Sequence, residues 1–157
     1  MTSRATRGSL LAGLALVVAL AATTAPLPLT AQEKTQPYVV VVNASVQTTS
    51  VSKTELARIF LKKAQQWKGG QIAVPVDLDE RSETRKAFTK EVHRKSVAAV
   101  KSYWQQQIFS GREVPPSEKR SDEEVLAIVR STPGAVGYVS SGTQIGDGLK
   151  RLTVTND

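Results

Sequence analysis

An α/β fold with a mainly parallel sheet flanked by helices is what this sequence predicts, on two observations. Tyr38-Val39-Val40-Val41-Val42 is β-branched without alternation, the pattern of a strand covered on both faces. Segments of strand and helix character then follow in the order β, α, β, α, α, α, β, which links successive strands by crossovers.

Residues 1–31 read as a secretory signal peptide. Arg4 and Arg7 form its basic region, Ser9 to Ala22 its apolar stretch, and Leu29-Thr30-Ala31 a cleavage site before Gln32. The apolar run is short against the roughly 20 residues that a spanning helix needs, and an uncleaved anchor is the alternative. The absence of cysteine excludes a lipoprotein thiol, a disulfide framework, thiolate metal ligation and a Cys nucleophile. The expected product is therefore a periplasmic or secreted soluble domain of 126 residues, long enough for one core without staples. Losing Arg4 and Arg7 lowers the formal charge from +7 to +5, which favours acidic partners, small anions or a membrane surface by long-range attraction. Nucleic acid is not expected, since no basic run is interleaved with aromatics.

Residues 32–37 form a polar linker. The first strand ends at Asn43, and the Ser/Thr-rich loop Ala44 to Val51 offers Ser45, Thr48, Thr49 and Ser50 either to a ligand or to the turn itself. A helix capped by Ser52 carries Leu56, Ile59, Phe60, Ala64 and Trp67 on one stripe until Gly69-Gly70 stops it. Gln71 to Val76 is the next strand, with Pro75 marking an edge or a break in pairing. A helix starting at Ser82 runs through Val92, and another follows from Ser96 with Val97, Val100, Trp104 and Ile108 at helical spacing. Ser110 to Pro116 is a loop because its two prolines bar helix. The Ser121 helix buries Val125, Leu126 and Val129. Thr132-Pro133-Gly134 turns the chain into the strand Ala135 to Val139, whose Gly137 admits a close backbone neighbour. Leu149 to Val154 adds an edge strand.

Asp77 to Phe88 carries the most chemistry. A buried strand delivers the chain to a helix N-terminus at Ser82, where free N–H groups and the helix dipole favour anions. The other capped starts, Ser52-Lys53-Thr54-Glu55 and Ser121-Asp122-Glu123-Glu124, are capping boxes in which Glu satisfies the cap's own N–H. Arg85 takes that place here. A cation there asks for a nearby negative charge, so Arg81 and Arg85 around Ser82 and Thr84 suggest an oxyanion pocket. Neutralisation by Asp77, Asp79, Glu80 and Glu83 on a solvated surface is the competing reading.

Several stretches together resemble a known family. Leu56-Ala57-Arg58-Ile59-Phe60-Leu61, Trp67 before Gly69-Gly70, Arg81-Ser82-Glu83-Thr84 leading to Phe88, and Pro133-Gly134-Ala135-Val136-Gly137-Tyr138-Val139 follow one another as in the phosphate-binding proteins of ABC transporters. These belong to the type II periplasmic binding protein superfamily. The resemblance covers about residues 38–141 and implies that residues 38–157 are a single lobe of that fold. It further implies phosphate held by an Arg and a Ser-Gly-Thr helix start, which carries over to Arg81, Ser82 and Thr84, with Ser140 and Ser141 just beyond the glycine-rich strand. Glu83 replaces the family's glycine, and the second lobe is lacking, so the implied binding is weak alone.

The expected function is an exported phosphate or oxyanion-binding module, with an ABC importer or another envelope protein as partner. A protein-interaction or scaffolding module without ligand is the alternative, which exposed Trp67, Tyr103 or Trp104 would support. No enzyme is expected, because no nucleophile or acid/base set assembles. His93, flanked by Arg94-Lys95, reads as a surface residue at a helix end. The residues call for no cofactor or metal.

Overall fold

The computed structural model describes residues 36–157; residues 1–31, expected as a signal peptide, and residues 32–35 of the expected linker lie outside the described residues. In chain order the elements are β1 (Tyr38–Asn43), β2 (Ser50–Ser52), α1 (Lys53–Phe60), β3 (Val74–Leu78), α2 (Glu83–Phe88), a π-helical turn (Thr89–His93), α3 (Val97–Phe109), β4 (Ser117–Lys119), α4 (Asp122–Ser131), β5 (Ala135–Ser140) and β6 (Leu149–Thr155).

The strands form one sheet in the order β2-β6-β1-β5-β3-β4. Pairings β2–β6, β3–β4 and β3–β5 are parallel, so the sheet is mainly parallel, but β1 runs antiparallel to both β5 and β6. Tyr38 therefore lies opposite Ser140, and the start of β1 shares a sheet edge with the ends of β3 and β5. Asn43 and the beginning of its loop leave from the other edge, so this strand end does not join those of β3 and β5.

Side-chain alternation sorts the core into two faces. On one, α4 packs on β5: a Cβ at Gly137 would stand 2.6 Å from Val125 and 3.1 Å from Val129, so this glycine admits helix side chains rather than another backbone. Asn43, on the same face, donates to the Val129 and Arg130 carbonyls, each at 2.9 Å, and caps the end of α4. The other face holds an aromatic cluster. Phe88 stacks on Tyr138 with centroids 3.8 Å apart, while Tyr38 meets Phe88 edge-on at 5.4 Å and Phe60 lies 4.8 Å from Phe88. Such pairs contribute about 0.5–1.5 kcal/mol each beyond burial.

Several boundaries differ from expectation. α1 stops at Phe60 because Lys62 takes a left-handed conformation, φ 52°, and Lys63 N–H donates back to the Arg58 carbonyl. Trp67 thus leaves the helix yet stays buried, its indole N–H donating to the Gly134 carbonyl at 2.8 Å. Gly134 turns the chain at φ 78°. β3 begins later than expected, and Pro75 sits where its pairing passes from β5 to β4. β2 occupies the end of the stretch expected as a loop, β4 follows the expected Ser110–Pro116 loop where no element was expected, and β2 makes β6 an interior strand. Both Ser caps accept from the expected Glu N–H, but Glu124 reaches back to Arg120 N–H and Glu55 pairs with Arg58.

Candidate functional site

The sheet edge shared by the end of β3, the end of β5 and the start of β1 gathers most of the polar groups singled out above. Ser82 caps α2 in an extended conformation, its hydroxyl accepting from Arg85 N–H at 3.3 Å. Thr84, the second residue of the helix, faces the end of β5: its hydroxyl and that of Ser140 are 3.0 Å apart. Two segments 56 residues apart in sequence thus present adjoining hydroxyls beside a helix start. Ser141 diverges. Its N–H donates to the Pro37 carbonyl, and it borders a separate depression with Tyr38, Val40 and Arg151.

The two arginines have different fates. Arg81 is exposed, with its side chain 86% accessible, and its Nε donates to Asp79 Oδ1 at 3.0 Å. That bond holds the Asp79 carboxyl below its usual range. Arg85 is buried, and its guanidinium pairs with Asp77 and donates to the Leu78 carbonyl at 3.0 Å. Tyr138 hydroxyl also donates to Asp77. Burial pushes the Asp77 carboxyl up, opposed by Arg85 and by the Tyr138 hydrogen bond. The negative charge that Arg85 requires is therefore Asp77, with Glu118 4.0 Å away, so the guanidinium is already committed within the chain. Around it Glu83 pairs with Lys86 at 2.6 Å and Glu80 with Lys101 at 2.9 Å.

The Ser52 helix start, legible as a capping box, opens on this same edge, a placement its own sequence does not announce. β2 runs parallel to β6, with Ser52 beside Thr155, so α1 also begins here. The Asp157 carboxylate sits on that start, accepting from Thr54 N–H at 3.2 Å and from the Thr54 hydroxyl. These bonds, with one from Ser52, hold its carboxyl below the usual range. Nothing in the local pattern of Ser52 to Glu55 points to a residue 103 positions away. The α1 start thus already accommodates an oxyanion, supplied by the chain itself.

His93 departs from its expected surface place. Its ring packs edge-on to Phe88 at 5.7 Å and Phe60 at 6.4 Å, and Nδ1 is buried without a hydrogen-bond partner. Burial, followed by the charges of Arg85 and Lys95, pushes its pKa down to about 4. Among the described residues no group of acids and histidines is placed to hold a metal ion, and no helix is long and apolar enough to cross a membrane.

Against known proteins, no protein-family model matches the chain, and no curated protein does. Solved structures do. An ABC-type phosphate transport receptor from Vibrio cholerae aligns with TM-score 0.58 and 20% identity over 75% of this chain and 46% of its own. A phosphate ABC transporter substrate-binding protein with bound phosphate, from Clostridium perfringens, gives TM-score 0.59 and 17% identity over 75% and 44%. PstS from Borrelia burgdorferi gives 0.53 and 18% over 76% and 47%. The chain therefore has the fold of one lobe of such binding proteins and spans less than half the length of each.

Proposed function

We propose that this chain is an exported module that binds phosphate or a similar oxyanion at the start of α2, weakly when alone. The observation that carries the reading is the 3.0 Å approach of the Thr84 and Ser140 hydroxyls beside the Ser82-capped helix start. There the α2 backbone N–H groups, these hydroxyls and Arg81 face one sheet edge, and an incoming dianion competes with Asp79 for the arginine. Weak affinity follows from exposure, since charge-assisted hydrogen bonds made in water net little and are screened by salt. Glu83 adds a repulsive charge at the same turn. The likeness in fold to phosphate-binding proteins supports this reading, and an ABC importer or other envelope protein is the partner that would cover the open edge.

A second reading, an interaction module that keeps the fold without ligand, has its own observation. The aromatics named for it are not the exposed ones: Trp67 and Trp104 are buried, and Tyr103 hydroxyl donates to the Leu61 carbonyl at 3.1 Å. Instead Phe109 is 91% exposed, and Ile108 and Val114 are each more than half exposed. Calorimetric titration with phosphate at low salt, with sulfate as control, separates the two. Saturable heat that falls in Arg81→Ala and in Ser82→Ala supports the oxyanion module. Heat that is the same in both variants, or none at millimolar phosphate, sinks it.

A further inference from the structure

Away from that edge, the connection between α2 and α3 builds a second charged feature. The π-helical turn buries Thr89 and Val92 and leaves Lys90 exposed; Arg94 closes the turn and Lys95 follows. With Lys86, Ser96 and Val97 they line an open depression of about 720 Å³ that contains no acidic residue. Among the described residues Lys86 pairs with Glu83, whereas Lys90, Arg94 and Lys95 make no ion pair. Neighbouring acids are engaged elsewhere. Glu91 accepts from the Tyr38 hydroxyl at 3.2 Å and faces Lys53, and Asp157, the acid whose carboxyl feels Arg94, accepts from Thr54.

Like charges around one concavity repel, and their summed field concentrates anions there. One tetrahedral phosphate fills a small part of such a depression. Three cations without an ion pair, and Lys86 beside them, ask for more negative charge than one phosphate carries, with Arg94 offering a planar fork and the lysines point charges. We infer that this depression binds a soluble anion carrying two or more phosphate groups. The inference is independent of the oxyanion site at α2, shares no residue with it, and stands if that site fails.

Tripolyphosphate is the probe, applied to the purified full chain, with orthophosphate and sulfate at matched ionic strength. Tripolyphosphate should raise the melting temperature above either control, as expected when a ligand binds only the native state. In a variant combining Lys90→Ala, Arg94→Gly and Lys95→Ala, affinity should fall on the order of tenfold. Glycine accepts the left-handed conformation of Arg94, φ 53°, so the charge is removed without straining the turn. Lys68→Ala, which removes an exposed cation outside both sites, should leave the response unchanged. A shift no larger than that with sulfate, or one undiminished in the triple variant, overturns the proposal. So does charge-dependent retention on phosphatidylglycerol vesicles without any response to tripolyphosphate, which would reassign the surface to a membrane.

Discussion

The Arg85 guanidinium is paired with the Asp77 carboxylate where neither side chain reaches water, their exposures being 5% and 6%. Asp77 is the penultimate residue of β3 and Arg85 stands in the first turn of α2, so the pair ties the helix start to the strand it follows. Tyr138, from β5, shares the same carboxylate and joins three elements in one polar knot beneath the candidate site.

Breaking this knot from one side should be severe. Arg85→Leu leaves Asp77 buried without its counter-charge, and removing one partner of a buried pair costs about 3–5 kcal/mol. Asp77→Asn should lose less, because the amide oxygen still accepts from Tyr138. The double variant should be more stable than the two single losses added together, since each single variant strands the other's partner. Urea unfolding of all four proteins measures this. Additivity within about 0.5 kcal/mol would mean that the two groups are not coupled.

How far the sequence carried the reading depends on how local each cause is. The unbroken run Val39 to Val42 announced a strand covered on both faces, and serines 52, 82, 96 and 121 do cap helices. Strand direction was not legible: nothing within Tyr38 to Asn43 records that it runs antiparallel to β5. Strands as short as β2 and β4 have no room for a period-two pattern. α1 stops two residues before Lys62, which adopts φ 52° without a glycine to announce it. At the candidate site the caps and hydroxyls were readable residue by residue. The partners of Arg85 and His93 were not: Asp77 was counted as surface charge, and Phe60, which shelters His93, comes from α1.

Gly134 is the turn on which Trp67 and β5 both depend. Its φ is 78°, and a Cβ there would stand 2.1 Å from the Ile72 carbonyl oxygen, with backbone on both sides of the clash. Its own carbonyl accepts the Trp67 indole N–H. Gly134→Ala should therefore cost about 2–4 kcal/mol, combining left-handed strain with a displaced strand connection. A domain of this size loses roughly 4 °C in Tm per kcal/mol, and thermal melts should show a drop of about 8–16 °C. Gly142→Ala, where a Cβ meets nothing within 4 Å, is the control and should stay near wild type. Equal melting of both variants would refute the role of the turn.

The half-buried imidazole of His93 makes a separate, pH-dependent prediction. In the native state the His93 pKa is pushed down to about 4 by burial and by the positive charges of Arg85 and Lys95, whereas the unfolded chain titrates near 6.5. Between these values the unfolded state binds a proton that the folded state refuses, so stability rises with pH across that window. The contribution is complete above about pH 6.5, falls as the pH drops toward 4, and amounts to about 3 kcal/mol over the interval. Cationic neighbours strengthen the effect, since protonation would add a third positive charge among Phe60 and Phe88. His93→Leu removes the titrating group and fills the same apolar space, so urea midpoints measured from pH 7.5 down to 4.5 should flatten in the variant while the wild type declines. Below that range carboxylates held low in the folded state, among them Asp79, Glu113 and Asp157, begin to dominate the acid loss in both proteins. Parallel profiles above pH 4.5 would mean that His93 takes up its proton without disturbing the aromatic cluster.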